Sequence, residues 1–147
     1  MIPSPTGAGG CHALFVYGTL RRGFERHHHL ARLGARFQKE ARVAAELFDL
    51  GSYPGARPAG GRGMWVRGEV FELRQSARDL KVLDQVEDFI PAAPARSEFI
   101  RTRVEVVSAN GVSQTAWIYW LTSRVRSGRR RIACGDYAVW RARREAI

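Results

Sequence analysis

The strongest structural signal in the chain is a pair of strand-like segments joined by a tight turn. Apolar and polar residues alternate over Phe99–Val107, and Val112–Trp120 follows after Asn110-Gly111. Alternation with a period of two indicates a β-strand, because successive side chains point to opposite faces of a sheet. Asn-Gly favours the two-residue turns of hairpins, since both residues tolerate positive φ. The sequence therefore predicts an antiparallel hairpin here.

The remaining segments predict an α+β protein. Strands are expected at Leu14–Tyr17, Arg42–Leu50 and Trp65–Leu73, helices at Phe24–Leu33 and from Ser76 to about Glu87 or Asp88, and a short element around Tyr137–Arg144. Gly34 should end the first helix, and Pro91 prevents the second from continuing. Ser76-Ala77-Arg78-Asp79 is a variant of the capping box. Five or six strands, mostly in a meander, with two or three helices indicate a curled or barrel-like mixed sheet.

Length and composition indicate one domain. The 147 residues include 45% hydrophobic residues, which suits a single core. We expect residues 1–12, rich in Pro, Gly and Ser, to be a flexible lead and residues 13–147 to form the domain. No apolar run has the length of a membrane span and no signal-peptide pattern is visible, so we expect a cytoplasmic protein without membrane association. Two cysteines are too few for a disulfide framework.

The positive charge is concentrated near the end of the chain. The formal net charge is +10, and Leu121–Ile147 contains eight arginines against Asp136 and Glu145. A basic stretch can bind nucleic acid or another anionic partner. It can also be an ordinary solvated surface. With no aromatic-rich RNA motif, zinc-ligand spacing or helix-turn-helix pattern, we do not favour nucleic acid as the partner.

Two segments carry candidate chemistry. Phe15–Gly23 reads FVYGTLRRG, an apolar strand that breaks into a glycine-bracketed basic loop. This is either a plain turn or a loop whose backbone N–H groups hold an anion. Leu50–Gly63 is a long loop rich in Gly and Pro, and a loop of this kind can act as a lid.

Glu87 is the unusual carboxylate of the second helix. At about 100° per residue, it falls between Leu80 and Leu83 on the apolar side, which also takes in Val82 and Val86, whereas Asp84 and Asp88 fall outside. Burial raises the pKa of a carboxyl group and suits it to general acid/base catalysis near neutral pH. The alternative is a glutamate at the edge of the face, in a salt bridge with Arg101 or Arg103.

Six motifs in order resemble the γ-glutamylcyclotransferase-like family, especially its short bacterial and plant members and the γ-glutamylamine cyclotransferases. They cover about residues 13–140 and read VYGTLRRG, DLGSYPGARP, VRGEVFEL, LDQVEDF, FIRTRVEVV with TAWIYW, and CGDY. The resemblance implies a small mixed β-barrel of about five or six strands with flanking helices. It also implies a reaction in which the α-amine of a γ-glutamyl group attacks its own γ-carbonyl and releases 5-oxoproline and an amine. Neither a metal nor an organic cofactor is implied.

The resemblance also implies roles for individual residues. Glu87 takes the position of the catalytic general acid/base, and the loop Tyr17, Gly18, Thr19 and Leu20 takes that of a backbone anion cradle. Tyr53, Phe99 and Arg101 take positions in the substrate site. The partner is a small γ-glutamyl compound whose leaving amine the sequence does not identify, and the oligomeric state is open.

The chain departs from the family pattern at three positions. Arg26 stands where relatives often carry Asn, Phe99 stands where they often carry Tyr, and Asp88 replaces the Gly that commonly follows the glutamate. An impaired catalyst that only binds small molecules on the same fold is therefore one alternative. Binding of an anionic partner through the arginine-rich stretch is the other.

Two further features point away from a metal or a reactive thiol. His27-His28-His29 cannot converge on one ion if they lie on a helix, because adjacent residues point about 100° apart. Cys134 has no evident catalytic partner in the sequence, and we expect it to be a small buried residue.

Overall fold

Five strands of the protein close into a barrel, and a sixth extends its wall. The computed structural model describes residues 11–59, 63–122 and 130–146. Its strands are β1 Ala13–Val16, β2 Arg36–Asp49, β3 Pro54–Pro58, β4 Trp65–Glu72, β5 Phe99–Ser108 and β6 Ser113–Leu121. Its helices are α1 His28–Arg32, α2 Ser76–Val86 and α3 Tyr137–Glu145, with one 3-10 turn at Pro94–Arg96.

The strand order is β3-β2-β4-β1-β6-β5, and β5 pairs back onto β2 to close the barrel. Only β1 and β6 are parallel, and every other described pair is antiparallel. The α+β class and the small mixed barrel are therefore confirmed. The expected meander is wrong, because β1 inserts between β4 and β6 instead of pairing with β2. Its apolar residues Leu14, Phe15 and Val16 are all buried, which suits an interior strand.

The predicted hairpin is confirmed by the pairing of β5 with β6. Their register runs from Phe99 opposite Leu121 to Val107 opposite Ser113. Gly111 has a φ of 84°, the left-handed conformation that a tight turn requires and glycine tolerates. The long alternating segment therefore sets both the pairing and its register.

The other predicted boundaries differ from the structure in places. β2 begins at residue 36 instead of 42, and α1 is only five residues long, although it ends before Gly34 as predicted. The expected loop Leu50–Gly63 contains the strand β3, which, among the residues that the structure describes, pairs only with β2. Proline at each end of β3 concealed it, because proline lacks the N–H that a central strand needs; an edge strand tolerates this loss.

Several predictions concern residues outside the described ranges. These are residues 1–10 of the expected lead, 60–62 of the expected loop, and Arg124, Arg126 and Arg129 of the basic stretch. Within the part of the chain that the structure describes, no helix has the length and apolar composition that a membrane crossing requires.

Alternating side chains of β1 join two separate apolar clusters. Phe15 and Tyr17 belong to the cluster inside the barrel, with Val43 and Ile118 among its members. Leu14 and Val16 point the other way, into a cluster that includes Leu30, Leu80 and Leu83 of the helices. Because both faces of β1 are buried, the loop that follows it starts from a fixed point.

Helix α2 differs from the predicted pattern at its start and on its faces. Gln75 is the N-cap without a side-chain cap; its N–H donates to Asp79 Oδ2 at 3.0 Å. The predicted capping by Ser76 is therefore wrong. Val82 is 41% exposed, whereas Asp84 is buried and forms an ion pair. The angular prediction failed at Asp84 because a paired carboxylate can occupy a buried position.

The end of α2 is a Schellman motif. The N–H of Phe89 donates to the Asp84 carbonyl at 2.8 Å, and the N–H of Asp88 donates to that of Gln85 at 3.3 Å. Asp88 has a φ of 55°, and among the described residues it is the only non-glycine residue with positive φ. This conformation turns the chain directly after Glu87.

Asp88→Gly should stabilise the protein, because glycine adopts the left-handed conformation without the steric cost of a Cβ. We expect the free energy of unfolding to rise by about 0.5–1 kcal/mol in urea denaturation, and Asp88→Ala to lower it. Gln85→Gly, in the exposed last turn, is the matched control and should lower it by about 1 kcal/mol. An Asp88→Gly protein no more stable than the wild type would contradict the prediction.

Candidate active site

The Tyr17–Leu20 loop and the end of α2 line one continuous cavity. An inner recess is lined by Phe15, Val16, Tyr17, Gly18, Thr19, Leu20, Arg26, Tyr53, Pro54, Glu87, Phe99 and Tyr119. An outer cleft of about 450 Å³ is lined by Thr19, Glu25, Arg26, Ser52, Tyr53, Val86, Glu87, Glu98 and Phe99. Five residues line both spaces, so the cleft leads into the recess. Of the predicted site residues, Arg101 is the one that lines neither.

The loop leaves the buried strand β1 and presents its backbone to the recess. The hydroxyl of Tyr17 donates to the Tyr119 carbonyl at 2.7 Å and accepts from Ala56 N–H at 3.1 Å. A Cβ at Gly18 would lie 2.7 Å from Pro54 Cγ, so glycine permits this close packing. Within the described ranges, the amides of Gly18, Thr19 and Leu20 donate no hydrogen bond to the protein. Adjacent amides of this kind can hold an anion.

Two ion pairs fix the basic half of the loop. Arg21 Nη1 lies 3.1 Å from Asp136 Oδ1, and Asp136 also caps α3. Arg22 donates to the buried Glu69 twice, from its backbone N–H at 2.9 Å and from its Nε at 3.2 Å. These contacts explain why motifs far apart in sequence accompany the loop, because Glu69 belongs to VRGEVFEL and Asp136 to CGDY.

Glu87 is the C-cap residue of α2, and its side chain is 13% exposed. Burial, against the opposing effect of Arg26 and with a contribution from the nearby Glu98, raises the pKa of Glu87 to about 7. At neutral pH a carboxyl group of this pKa is present in both its charged and neutral forms. It can therefore take up and return a proton.

Arg26 is the ion-pair partner of Glu87. Its Nη1 lies 3.5 Å from Glu87 Oε2, and its Nη2 donates to the Val86 carbonyl at 2.5 Å. The sequence suggests Arg101 or Arg103 as this partner, and the structure places neither there. In the sequence, Arg26 stands out only as a departure from the family pattern.

Arg101 forms an ion pair with Asp84, which lies one turn before Glu87 on α2. It contacts Asp84 through two bonds, Nε to Oδ1 at 2.7 Å and Nη2 to Oδ2 at 3.1 Å, and Tyr119 OH donates to Asp84 Oδ1 at 2.7 Å. Burial and this hydrogen bond raise the pKa of Tyr119 far above its ordinary value. Both oxygens of the Asp84 carboxylate thus accept hydrogen bonds from residues on strands β5 and β6.

Tyr53 and Glu98 form one side of the outer cleft. Tyr53 OH donates to Glu98 Oε2 at 2.5 Å, and the Tyr53 and Phe99 rings lie 6.2 Å apart. Burial and the bond to Glu98 raise the pKa of Tyr53 to about 12, so the phenol stays protonated. Tyr53 supplies a phenol in the cavity that Phe99 also lines.

The sequence does not predict Arg26, Glu98 or Asp84 as site or supporting residues of this region. Glu98 precedes strand β5 without any periodic signal, and Asp84 was placed on the wrong side of α2. Tyr119 is buried and also lines the recess. Only Arg26 carries a usable signal, as a charged residue where relatives often carry Asn.

The histidines and cysteines do not form a metal site within the described residues, which contain no group of three or more His, Cys, Asp or Glu side chains suited to a metal. Nδ1 of His27 contacts the Leu20 carbonyl at 2.9 Å, and that of His28 contacts the Glu25 carbonyl at 3.0 Å. Cys134 is exposed, so the expectation of a buried residue is wrong.

Comparison with known proteins agrees with this fold. The profile of the family described as Gamma-glutamyl cyclotransferase, AIG2-like, matches residues 14–139. The Gamma-L-glutamyl-butirosin B gamma-glutamyl cyclotransferase of Niallia circulans is 33% identical over 107 residues. The matched region is 72% of this chain and 64% of that protein, so the chain spans less than two thirds of that relative's length.

Solved structures show the same fold. An AIG2-like protein from Mus musculus aligns with a TM-score of 0.64 and 26% identity, over 79% of this chain and 80% of that one. YkqA from Bacillus subtilis aligns with a TM-score of 0.71 and 25% identity, over 92% of this chain and 43% of that one. The resemblance inferred from the six motifs is confirmed: the chain belongs to the gamma-glutamyl cyclotransferase, AIG2-like family.

Proposed function

We propose that this protein converts a γ-glutamyl amine or amide into 5-oxoproline and the free amine, with Glu87 as the general acid/base. One observation carries the proposal: a buried carboxyl group with a pKa of about 7 lines the same recess as three backbone amides without protein acceptors. Acid/base catalysis and oxyanion stabilisation are the two functions that such groups perform in acyl transfer.

The reaction uses an intramolecular nucleophile. Glu87 accepts a proton from the substrate α-ammonium, and the resulting amine attacks the γ-carbonyl carbon to form the new C–N bond. Collapse of the tetrahedral intermediate breaks the original amide C–N bond, and Glu87 donates a proton to the departing nitrogen. Glu87 then carries a second proton in the same way, from the α-nitrogen of the newly formed ring to the released amine. The α-nitrogen thus loses two protons in all, and the amine gains two and leaves as ammonium.

Positioning supplies much of the remaining rate. An attack within one molecule needs the α-amine and the γ-carbonyl to be held close together. When a confining recess holds them, the lost conformational freedom is offset by the free energy of substrate binding and does not add to the activation free energy. The amides of Gly18, Thr19 and Leu20 would stabilise the oxyanion that forms on the γ-carbonyl. The leaving amine would extend into the outer cleft, whose volume admits groups of varied size.

Glu87→Gln should abolish turnover while keeping the fold, because glutamine matches glutamate in size but cannot cycle a proton. We expect the rate of 5-oxoproline release from a panel of γ-glutamyl amines and dipeptides to fall by about 10²–10⁴-fold. The panel should include γ-L-glutamyl-butirosin B, because the relative from Niallia circulans is described as a cyclotransferase of that compound.

Glu105→Gln is the matched control, because Glu105 is an exposed carboxylate on β5 outside the cavity. It should retain the wild-type rate. Equal rates in the wild type and Glu87→Gln would remove Glu87 from the chemistry. No turnover by the wild type on any substrate would instead favour a binding protein on this fold.

The pH dependence of kcat/KM should show an acid limb with a midpoint near 7, because only ionised Glu87 accepts the substrate proton. Glu98→Gln removes a neighbouring negative charge that raises the Glu87 pKa, so its acid limb should move to lower pH. Steady-state kinetics from pH 5 to 9 would measure this shift. A midpoint near 4.5, or a Glu98→Gln limb at higher pH, would contradict the assignment.

A further inference from the structure

Arg26 makes hydrogen bonds and an ion pair within the site, although the proposed reaction assigns it no role. Its backbone N–H donates to the Thr19 carbonyl at 3.0 Å, which ties it to the anion-cradle loop. Its guanidinium contacts both Glu87, at 3.5 Å, and the Val86 carbonyl, at 2.5 Å. One residue thereby joins the loop to the end of α2.

We propose that Arg26 is a positioning residue, which holds the end of α2 against the loop and compensates the charge of the Glu87 carboxylate. The proposal rests on the proposed function only for its kinetic consequences. Its two contacts on α2 have separate effects: the bond to the Val86 carbonyl fixes the place of the helix end, and the ion pair fixes the orientation and charge state of Glu87.

The charges around Glu87 make this role specific to Arg26. Glu98 adds a second negative charge, and the phenols of Tyr17, Tyr53 and Tyr119 remain neutral because their pKa values are raised. Among the described residues that line the recess and the cleft, Arg26 is the only cation. Arg101, which the sequence suggests as an ion-pair partner of Glu87, forms its ion pair with Asp84 instead.

The consequence follows from electrostatics. Two neighbouring carboxylates, one of them buried, would favour a protonated Glu87 at neutral pH if no cation stood beside them. The Arg26 side chain is 30% exposed and therefore mostly shielded from solvent screening. Arginine also stays charged at every physiological pH, so its effect on Glu87 does not titrate away.

The test compares Arg26→Met and Arg26→Lys with the wild type. Methionine keeps an unbranched apolar stem and removes the charge; lysine keeps the charge and loses the planar guanidinium. Arg103→Met is the matched control, because the exposed Arg103 lies on β5 outside the cavity. Two measurements are made on each protein. One is kcat/KM as a function of pH, and the other is the titration of the Glu87 carboxyl carbon by ¹³C NMR, with its signal assigned by comparison with Glu87→Gln.

In Arg26→Met we expect both the acid limb and the NMR midpoint to rise by about one pH unit, which lowers kcat/KM at pH 6 by about tenfold. Arg26→Lys should keep both midpoints near the wild-type values, with a lower kcat because the bond to the Val86 carbonyl is lost. Arg103→Met should change neither. A merely structural role of Arg26 would lower the rate without moving the midpoints.

Unchanged midpoints in Arg26→Met, or equal upward shifts in Arg26→Met and Arg26→Lys, would overturn the proposal. The NMR titration separates this result from the fate of the proposed function. If no substrate is turned over but the midpoint of Glu87 rises in Arg26→Met alone, the inference stands and the cyclotransferase proposal fails. If the wild type turns over a substrate normally but the midpoint of Glu87 does not rise in Arg26→Met, the cyclotransferase proposal stands and the inference about Arg26 fails.

Discussion

Burial of β1 on both faces is the constraint on which the candidate site depends. Leu14 and Val16 pack against the helices while Phe15 and Tyr17 pack inside the barrel, so the strand cannot shift without disrupting both clusters. The loop that follows is therefore delivered to one place. A backbone cradle needs this precision, because amides stabilise developing charge only when they are already in position.

Two carboxylates of α2 show how surroundings divide roles between similar groups. Asp84 receives three hydrogen bonds from Arg101 and Tyr119, which satisfy its charge. Glu87, one turn later, has a single cation at 3.5 Å and a second carboxylate nearby. Asp84 is therefore suited to a structural contact, whereas Glu87 keeps a pKa near 7. The different neighbours of the two carboxylates account for this difference.

Periodicity and turn chemistry allowed the sequence to predict the β5–β6 hairpin, helix α2 and the mixed barrel class. They could not show that β1 pairs with β6, because its three consecutive buried residues carry no alternation that identifies a partner. The edge strand β3 was concealed by Pro54 and Pro58. Glu87 was found because its position conflicts with the apolar face, but its partner Arg26 comes from a distant turn. Such pairings depend on tertiary packing, which local patterns do not encode.

The ion pair between Arg21 and Asp136 joins residues 115 positions apart in the chain. During synthesis on the ribosome, the anion-cradle loop emerges well before its anchor, which lies 115 positions later in the chain. The barrel strands can pair before that anchor is available, but this loop contact cannot form until the segment leading into α3 has left the exit tunnel. The nascent chain would therefore complete its candidate active site only after all six strands have emerged.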